Sequence, residues 1–421
     1  MFLLYRTLTT ILFPLFVVVI YLRKILGKED KIRFKEKIFL SKEKKTKKKT
    51  LWFHGASIGE IMSIVPLINH LNKQNFAPRI LITSVTLSSG KIIQDKFKDN
   101  QNVFHKYFPL DTPYLAKKFI NNWSPDFVGF VDSEIWPNFI FEIKNRKIPL
   151  ILINARITKK TYLRWMLLKK FSKKIFSSFD LCLASSKNSF EYLHKLKAKN
   201  IKLIGNLKYY SENNTAEKLS ENTLAYFSKR KVWCAASTHS GEEGLCIEVH
   251  KRVKEKYKDI LTIIIPRHIS RTNEIYLLCK KNNLITQIFN ENNKINENTE
   301  VILVNSFGTL TKYFHYCKSV FIGKSSLERL QSVAGQNPIE AAKQSCKIYY
   351  GPFVYNFLEV YEYLNSNKMA EQIKNSKDLS ENIITDFKEP KNINSEKIQK
   401  IEQFGKKIFT ETLNEINKFI K

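Results

Sequence analysis

The chain has 421 residues, enough for two or three domains with cores of their own. Apolar residues make up 43% and aromatic residues 13%, which excludes an intrinsically disordered protein. Seventy Lys and Arg against 39 Asp and Glu leave a formal charge of +31, a balance that favours anionic partners: nucleic acid, acidic lipid headgroups or phosphorylated substrates.

Residues 7–22 (TLTTILFPLFVVVIYL) form an apolar segment bounded by Arg6 and Arg23. As a helix it spans about 24 Å, and adding residues 2–5 with Arg6 snorkelling approaches the roughly 30 Å of a hydrocarbon core. Residues 1–27 therefore read as a membrane-anchor helix. No small-residue cleavage site follows, which argues against a removed signal peptide. Residues 28–50 read as a basic linker, since thirteen Lys or Arg and four acids lie between Arg23 and Lys49. Basic charge on this side of the apolar segment places the main body in the cytoplasm, with the linker against anionic lipid.

From residue 51 onward, near-continuous apolar runs alternate with helical periodicity, the pattern of a parallel sheet covered on both faces. LWFHGAS, RILITSV, FVGFVDS, PLILINA, LCLASS and IKLIGN predict strands within an N-terminal domain, residues 51–210. Residues 211–225 read as a linker. VWCAAS, LTIIIPR, VILVNS, SVFIGKS and KIYYGP restart the rhythm in a second domain, residues 226–390, before a last helix in residues 391–421. The fold class expected is α/β, with two doubly wound, Rossmann-like domains facing a cleft. The six cysteines are scattered, with no C-x-x-C pair or zinc-ligand spacing, so neither a disulfide framework nor a metal site is expected.

The richest segment is residues 51–60 (LWFHGASIGE): a strand, a small-residue turn and a carboxylate, Glu60, where a helix begins. Ligands of open parallel sheets collect beyond the carboxyl ends of strands, so Glu60 is a candidate for chemistry as well as an ordinary first-turn acid. Glu134, Arg156 and Lys208 follow other strand ends of the same half, and a structural salt-bridge network competes with a charged cleft there. In the second half, ASTHSGEE (236–243), Pro266-Arg267-His268, Ser306 to Leu310, GKSS (323–326) and Gly335 to Glu340 also follow strands. Backbone N–H groups and Arg267 suit phosphate, and a carboxylate suits ribose hydroxyls. Asn337 and Glu340 are expected three apart on one helix face. Neither a P-loop nor a G-x-G-x-x-G after a strand is present, which argues against ATPases and dehydrogenases.

Taken in order, the apolar N-terminus, WFHGASIGE, SEIWPN, NARIT, GNLKY, ASTHSGEE, PRH, FGTL and GQNPIEAA resemble the successive blocks of the Kdo transferases. These glycosyltransferases add 3-deoxy-D-manno-octulosonic acid (Kdo) from CMP-Kdo to lipid A precursors. The resemblance covers nearly the whole chain. It implies a GT-B fold, an inverting reaction without metal or other cofactor, lipid IVA as acceptor in the N-terminal domain and CMP-Kdo as donor in the C-terminal domain. It also implies a place on the cytoplasmic side of the inner membrane. By motif, Glu60 resembles the general base, and Glu134 and Lys208 match positions that assist the transition state. Pro266, Arg267, Gly308, Thr309, Leu310, Asn337, Pro338, Ile339 and Glu340 align with the CMP-contacting blocks. Three departures lie on the nucleotide side: Thr309 where the family usually has Glu, Lys324 where it has Gly, and Ala334 with Gln336 in place of Gly and His.

Two other readings stay open on the residues alone. One is another two-domain sugar-nucleotide enzyme, such as a UDP-sugar transferase or an epimerase. The other is a membrane-tethered nucleic-acid-binding protein; no nucleic-acid module is recognised, and no nucleic-acid partner is expected.

Overall fold

The computed structural model describes residues 1–40, 46–74, 77–210, 219–290, 293–306, 310–333, 335–391 and 395–420. The chain forms two compact units, residues 1–212 with 404–421, and residues 213–403.

The first unit is built on β1 (Thr50–His54), β2 (Arg79–Ser84), β3 (Val103–Tyr107), β4 (Phe127–Val131), β5 (Leu150–Ala155), β6 (Leu181–Ala184) and β7 (Ile201–Leu203). All pairings are parallel, in the order β3-β2-β1-β4-β5-β6-β7. The direction of winding reverses between β1 and β4, the place where an open α/β sheet leaves a crevice at its carboxyl edge. There Leu51 pairs with Phe127 and His54 with Phe130. Every residue of β1 and β4 is buried, which is why both read as unbroken apolar runs. Trp52 sits among Phe108, Phe119, Phe130 and Phe139, with ring centroids 5.0–6.2 Å away. Each such aromatic pair contributes about 0.5–1.5 kcal/mol beyond burial.

The second unit repeats the plan with β8 (Lys231–Thr238), β9 (Ile260–Pro266), β10 (Thr286–Phe289), β11 (Val301–Val304), β12 (Ser319–Ile322), β13 (Lys347–Tyr350) and β14 (Ala370–Gln372). Its order is β10-β11-β9-β8-β12-β13-β14, again all parallel, and the reversal lies between β8 and β12. Each sheet carries one register shift beside a left-handed residue: Asn154 (φ 52°) in β5 and Ser237 (φ 57°) in β8. Such bulges re-aim a side chain at a strand end.

The ends of the chain differ from the expectation in instructive ways. The N-terminal apolar segment forms two helices, Phe2–Ile11 and Phe13–Ile25, bent by 53°, where one anchor helix was expected. The second opens at Leu12 with Pro14 in its first turn, where a proline is tolerated. Among the described residues no single helix is long and apolar enough to cross a membrane; the bent pair satisfies that measure only together. In the basic stretch, Arg23 and Lys37 both pair with Glu29, and Arg33 pairs with Glu36, so these cations serve the fold. Of the expected linker 211–225, residues 211–218 lie outside the described residues; from Glu221 the chain is helical to Ser228, capped by Ser220 and held by buried Phe227. The last helix, Ser395–Ile420, belongs to the second unit up to Gln403 and to the first from Phe404 onward. There Phe409 stacks on Tyr210 with centroids 4.2 Å apart.

Candidate functional site

The turn after β1 places Glu60 at the third position of helix Ile58–Asn72, in a capping box with Ser57. One carboxylate oxygen accepts from Ala56 N (2.6 Å) and Ser57 N (3.3 Å), and the other from the Ser57 hydroxyl (2.9 Å). Glu60 thus caps the helix, as a first-turn acid does, and also stands at the reversal between β1 and β4. Burial, then the charges of Asp132 and Glu134, raise its carboxyl to about 7, against the lowering effect of the Ser57 and Ala56 bonds.

The turn after β4 supplies the facing acids. Asp132, in left-handed backbone (φ 55°), turns its carboxylate to Lys208 Nζ (2.9 Å) and Asn154 Nδ2 (2.5 Å). Asn154 Oδ1 in turn accepts from Leu207 N (2.9 Å), so one bulged asparagine fixes both Asp132 and the segment carrying Lys208. Lys208, matched to a position that assists the transition state, is thus committed to Asp132 in a mostly buried pair. Arg156 N donates to Asp132 O at 3.0 Å, tying the NARIT turn to the same acid by its backbone.

Glu134 is held separately. Its Oε2 accepts from Trp136 Nε1 (2.8 Å) and lies 3.1 Å from His54 Nε2. His54 is fully buried, stacked on Phe108 at 3.9 Å, with Nδ1 3.0 Å from Thr83 Oγ1. Thr83 Oγ1 accepts from Trp52 Nε1 (2.9 Å), Thr83 O lies 3.2 Å from His54 Nδ1, and Trp136 Nε1 also reaches His54 Nε2 (3.0 Å), so His54 and Trp136 together frame Glu134. The structure thus brings Glu60, Glu134 and Lys208 to one switch point and adds His54, Asp132, Asn154 and Trp136. All four stood inside motifs picked out in the sequence; nothing local told which strand end would lie beside which.

In the second unit the turn after β8 behaves differently. One of its N–H groups, with three more from the turn after β12, is occupied by the protein's own Glu242, where a ligand anion was expected. This carboxylate, fully buried, accepts from His239 N (2.9 Å), Lys324 N (2.6 Å), Ser325 N (3.0 Å), Ser326 N (3.1 Å) and the Ser326 hydroxyl (3.0 Å). Gly323 is required there, because a Cβ would lie 2.8 Å from Glu242 Oε2 and 2.7 Å from Ser237 O.

Around this filled nest is a cationic rim. Pro266 ends β9 buried beside Thr238, and Arg267 N donates to Thr238 O (3.0 Å) while its side chain is exposed. The His239 and His268 rings lie 5.9 Å apart; burial, then the charges of Arg267, Arg271 and Lys324, hold His268 below its ordinary value. Arg271 is taken by a two-pronged pair with Glu243 (2.8 and 3.1 Å). Gly335 N donates to Lys324 O (2.7 Å), which brings the 335–340 segment to the end of β12.

Helix Ile339–Lys343 begins after Asn337, whose side chain accepts from Ile339 N (3.2 Å) in a local turn. Asn337 and Glu340 therefore do not share a helix face as expected: Pro338 precedes the first helical residue and puts Asn337 outside. Pro338 and Ile339 are buried and Glu340 is exposed. Leu310, half-buried, opens helix Leu310–Phe314, and Gly308 and Thr309 lie outside the described residues. Among the described residues no three His, Cys, Asp or Glu side chains are grouped as a metal ion would need.

Residues 32–211 match the family model of 3-Deoxy-D-manno-octulosonic-acid transferase (kdotransferase). The chain is 30% identical to the 3-deoxy-D-manno-octulosonic acid transferase of Rickettsia prowazekii over 100% of both chains. It is also 30% identical to the probable mitochondrial enzyme of that name from Arabidopsis thaliana, over 84% of this chain and 80% of that one. Among solved structures, a glycosyltransferase from Rickettsia africae superimposes with a TM-score of 0.56 at 14% identity, over 89% of this chain and 98% of the other, a likeness of fold. With two parallel α/β units in series and a full-length relative at 30% identity, the chain belongs to the 3-deoxy-D-manno-octulosonic acid transferase family.

Proposed function

We propose that this chain moves Kdo from CMP-Kdo to a lipid A precursor, lipid IVA, with inversion, on the cytoplasmic face of the inner membrane. The observation that carries this reading is Glu60: a carboxylate at the sheet's reversal point, raised to about 7 by burial and by Asp132 and Glu134. A group with that value is half ionised near neutral pH, where a general base works best.

In the proposed reaction Glu60 takes the proton of the acceptor's primary hydroxyl. The oxygen forms its bond to the anomeric carbon as the bond from that carbon to the phosphate oxygen breaks, and CMP departs with the electron pair. Attack opposite to the leaving group inverts the centre. Glu134, oriented by Trp136 and His54, stands ready to fix the acceptor. Lys208 neutralises Asp132, and it would have to exchange that partner for the phosphate to assist departure directly. In the second unit Arg267, His239, His268 and Lys324 form the rim suited to the donor's anionic groups, with Asn337 and Glu340 on the adjoining segment. Glu242 serves that rim by shaping it; its nest has no room for a second anion.

The test offers lipid IVA with CMP-Kdo or with UDP-sugars and reads the product by mass spectrometry. Consumption of CMP-Kdo with a Kdo-sized gain on the lipid supports the proposal. Consumption of a UDP-sugar in its place would overturn the donor assignment.

A further inference from the structure

The two N-terminal helices are fixed sideways to the first unit. Positions 2, 5, 6, 9, 13, 16, 17, 20, 23 and 24 are the less exposed ones, an inward stripe that continues through the bend at Leu12. Phe2 packs on Phe141 with ring centroids 3.8 Å apart, Tyr5 donates to Asp111 Oδ2 (2.7 Å), and Asn138 Nδ2 donates to Thr9 Oγ1 (3.2 Å). Asp111 also accepts from the backbone of Asn138 and Phe139, so these pins reach the buried start of helix Pro137–Asn145, which follows Glu134 and Trp136. Further along, Val17 and Ile20 pack with Phe34, Ile38 and Leu110.

The outward face carries no acid and presents Leu3, Leu4, Leu8, Ile11, Leu15, Val18, Leu22 and Ile25, between 47% and 79% exposed. Beside it, residues 159–176 hold seven Lys or Arg and no acid. Helix Lys159–Met166 has no buried residue, and Leu163 and Leu167 add exposed apolar side chains. Phe171 joins the two regions, its ring meeting both Tyr5 (5.7 Å) and Trp165 (6.3 Å), and Lys174 Nζ lies 4.9 Å over the Phe2 ring.

From this we infer that the N-terminal pair lies in the plane of an anionic membrane surface, with residues 159–174 as a second basic contact, and does not cross the bilayer. Helices of 10 and 13 residues are about 15 and 20 Å long, short of a roughly 30 Å core. Polar pins hold the first of them against the body of the unit, so neither can leave it to span. An aliphatic face flanked by cations is the composition of an interfacial helix, and the charge selects anionic lipid over a second copy of this +31 chain. The inference rests on the membrane attachment proposed above and specifies its geometry.

The experiment uses the full chain in two arms. In the first, the protein is floated with phosphatidylglycerol-containing and with purely phosphatidylcholine vesicles, as wild type and as Lys170→Glu with Lys173→Glu. Flotation on anionic vesicles, weakened about tenfold or more by the double substitution, is expected. In the second, Leu3→Cys is labelled with a membrane-impermeant maleimide in intact spheroplasts and in inverted vesicles; the six native cysteines are buried and give little background. Labelling only in inverted vesicles, or protection in both, supports an in-plane helix. Labelling from the outside means that the segment spans, which overturns the inference while leaving membrane attachment standing. Failure to float on any vesicle, or a lipid-free dimer that buries Leu3 and Leu8, removes both.

Discussion

Glu60 and Glu242 occupy the same place in two similar sheets: each opens the helix after the strand beside the reversal. Their surroundings divide them. Glu242 meets five donors of the protein's own, four backbone N–H groups and the Ser326 hydroxyl. Glu60 has three donors and, across the crevice, two further carboxylates that oppose its ionisation. A filled nest makes a carboxylate structural; an underfilled one, facing like charge, leaves a proton site near neutrality. Position in the fold is shared, and the donors count for the difference.

The strongest way to break the comparison is to neutralise each acid. Glu60→Gln keeps an acceptor for Ala56 N, so the melting temperature should move by only a few degrees, while transfer falls by about 10²–10⁴-fold, the range for a lost general base. Product formation on lipid IVA and a thermal melt read the two effects; wild-type turnover would remove Glu60 from the chemistry. Glu242→Ala should do the reverse. Five donors lose a buried charged acceptor, which costs about 3–5 kcal/mol of stability. Unfolding should occur at markedly lower temperature or denaturant, and the pH profile of the surviving activity should keep its shape. A stable Glu242→Ala protein that had merely lost donor binding would instead make Glu242 a ligand residue.

The acid limb of the pH profile sharpens the comparison. Because the folded-state carboxyl is raised to about 7 and the ionised form is the base, activity should grow as pH rises through that value and fall about tenfold per unit below it. Glu134→Gln removes one opposing charge and should move the limb down by roughly a few tenths of a unit, whatever it does to the plateau rate. An unmoved limb would mean that the titrating group is not Glu60.

The sequence made the central strands plain and the edges faint, apart from β7, which IKLIGN marks. VFHKY, TQIF and AEQ, the strands β3, β10 and β14, escaped notice, and all three are edge strands with partly exposed residues. A strand covered on fewer sides needs no unbroken apolar run, so periodicity has little to find. Glu60, Glu134 and Lys208 stood out because each ends such a run. That Asp132 would claim Lys208, or that Glu242 would fill the nest of residues 323–326, depends on which strand ends become neighbours, and that is set by sheet order. The 53° bend escaped because apolar composition says how long a segment is and nothing about what pins its side.

The smallest change carries the finest discrimination. Ser57 Oγ both accepts from Glu60 N (3.4 Å) and donates to Glu60 Oε1 (2.9 Å), and the second bond, with that from Ala56 N, lowers the Glu60 value. Ser57→Ala should therefore cost about 1 kcal/mol of stability as a lost cap. It should also raise the Glu60 value further, moving the acid limb upward, opposite in sign to Glu134→Gln. At pH 7 turnover should fall by roughly two- to threefold and recover at pH 8–9, since the base is intact and only its ionisation has been displaced. A merely structural serine would lower the melt and leave the limb where it was. Paired with Glu134→Gln, the substitution asks whether donors and like charges pull on one proton from opposite sides, as the contrast between Glu60 and Glu242 requires.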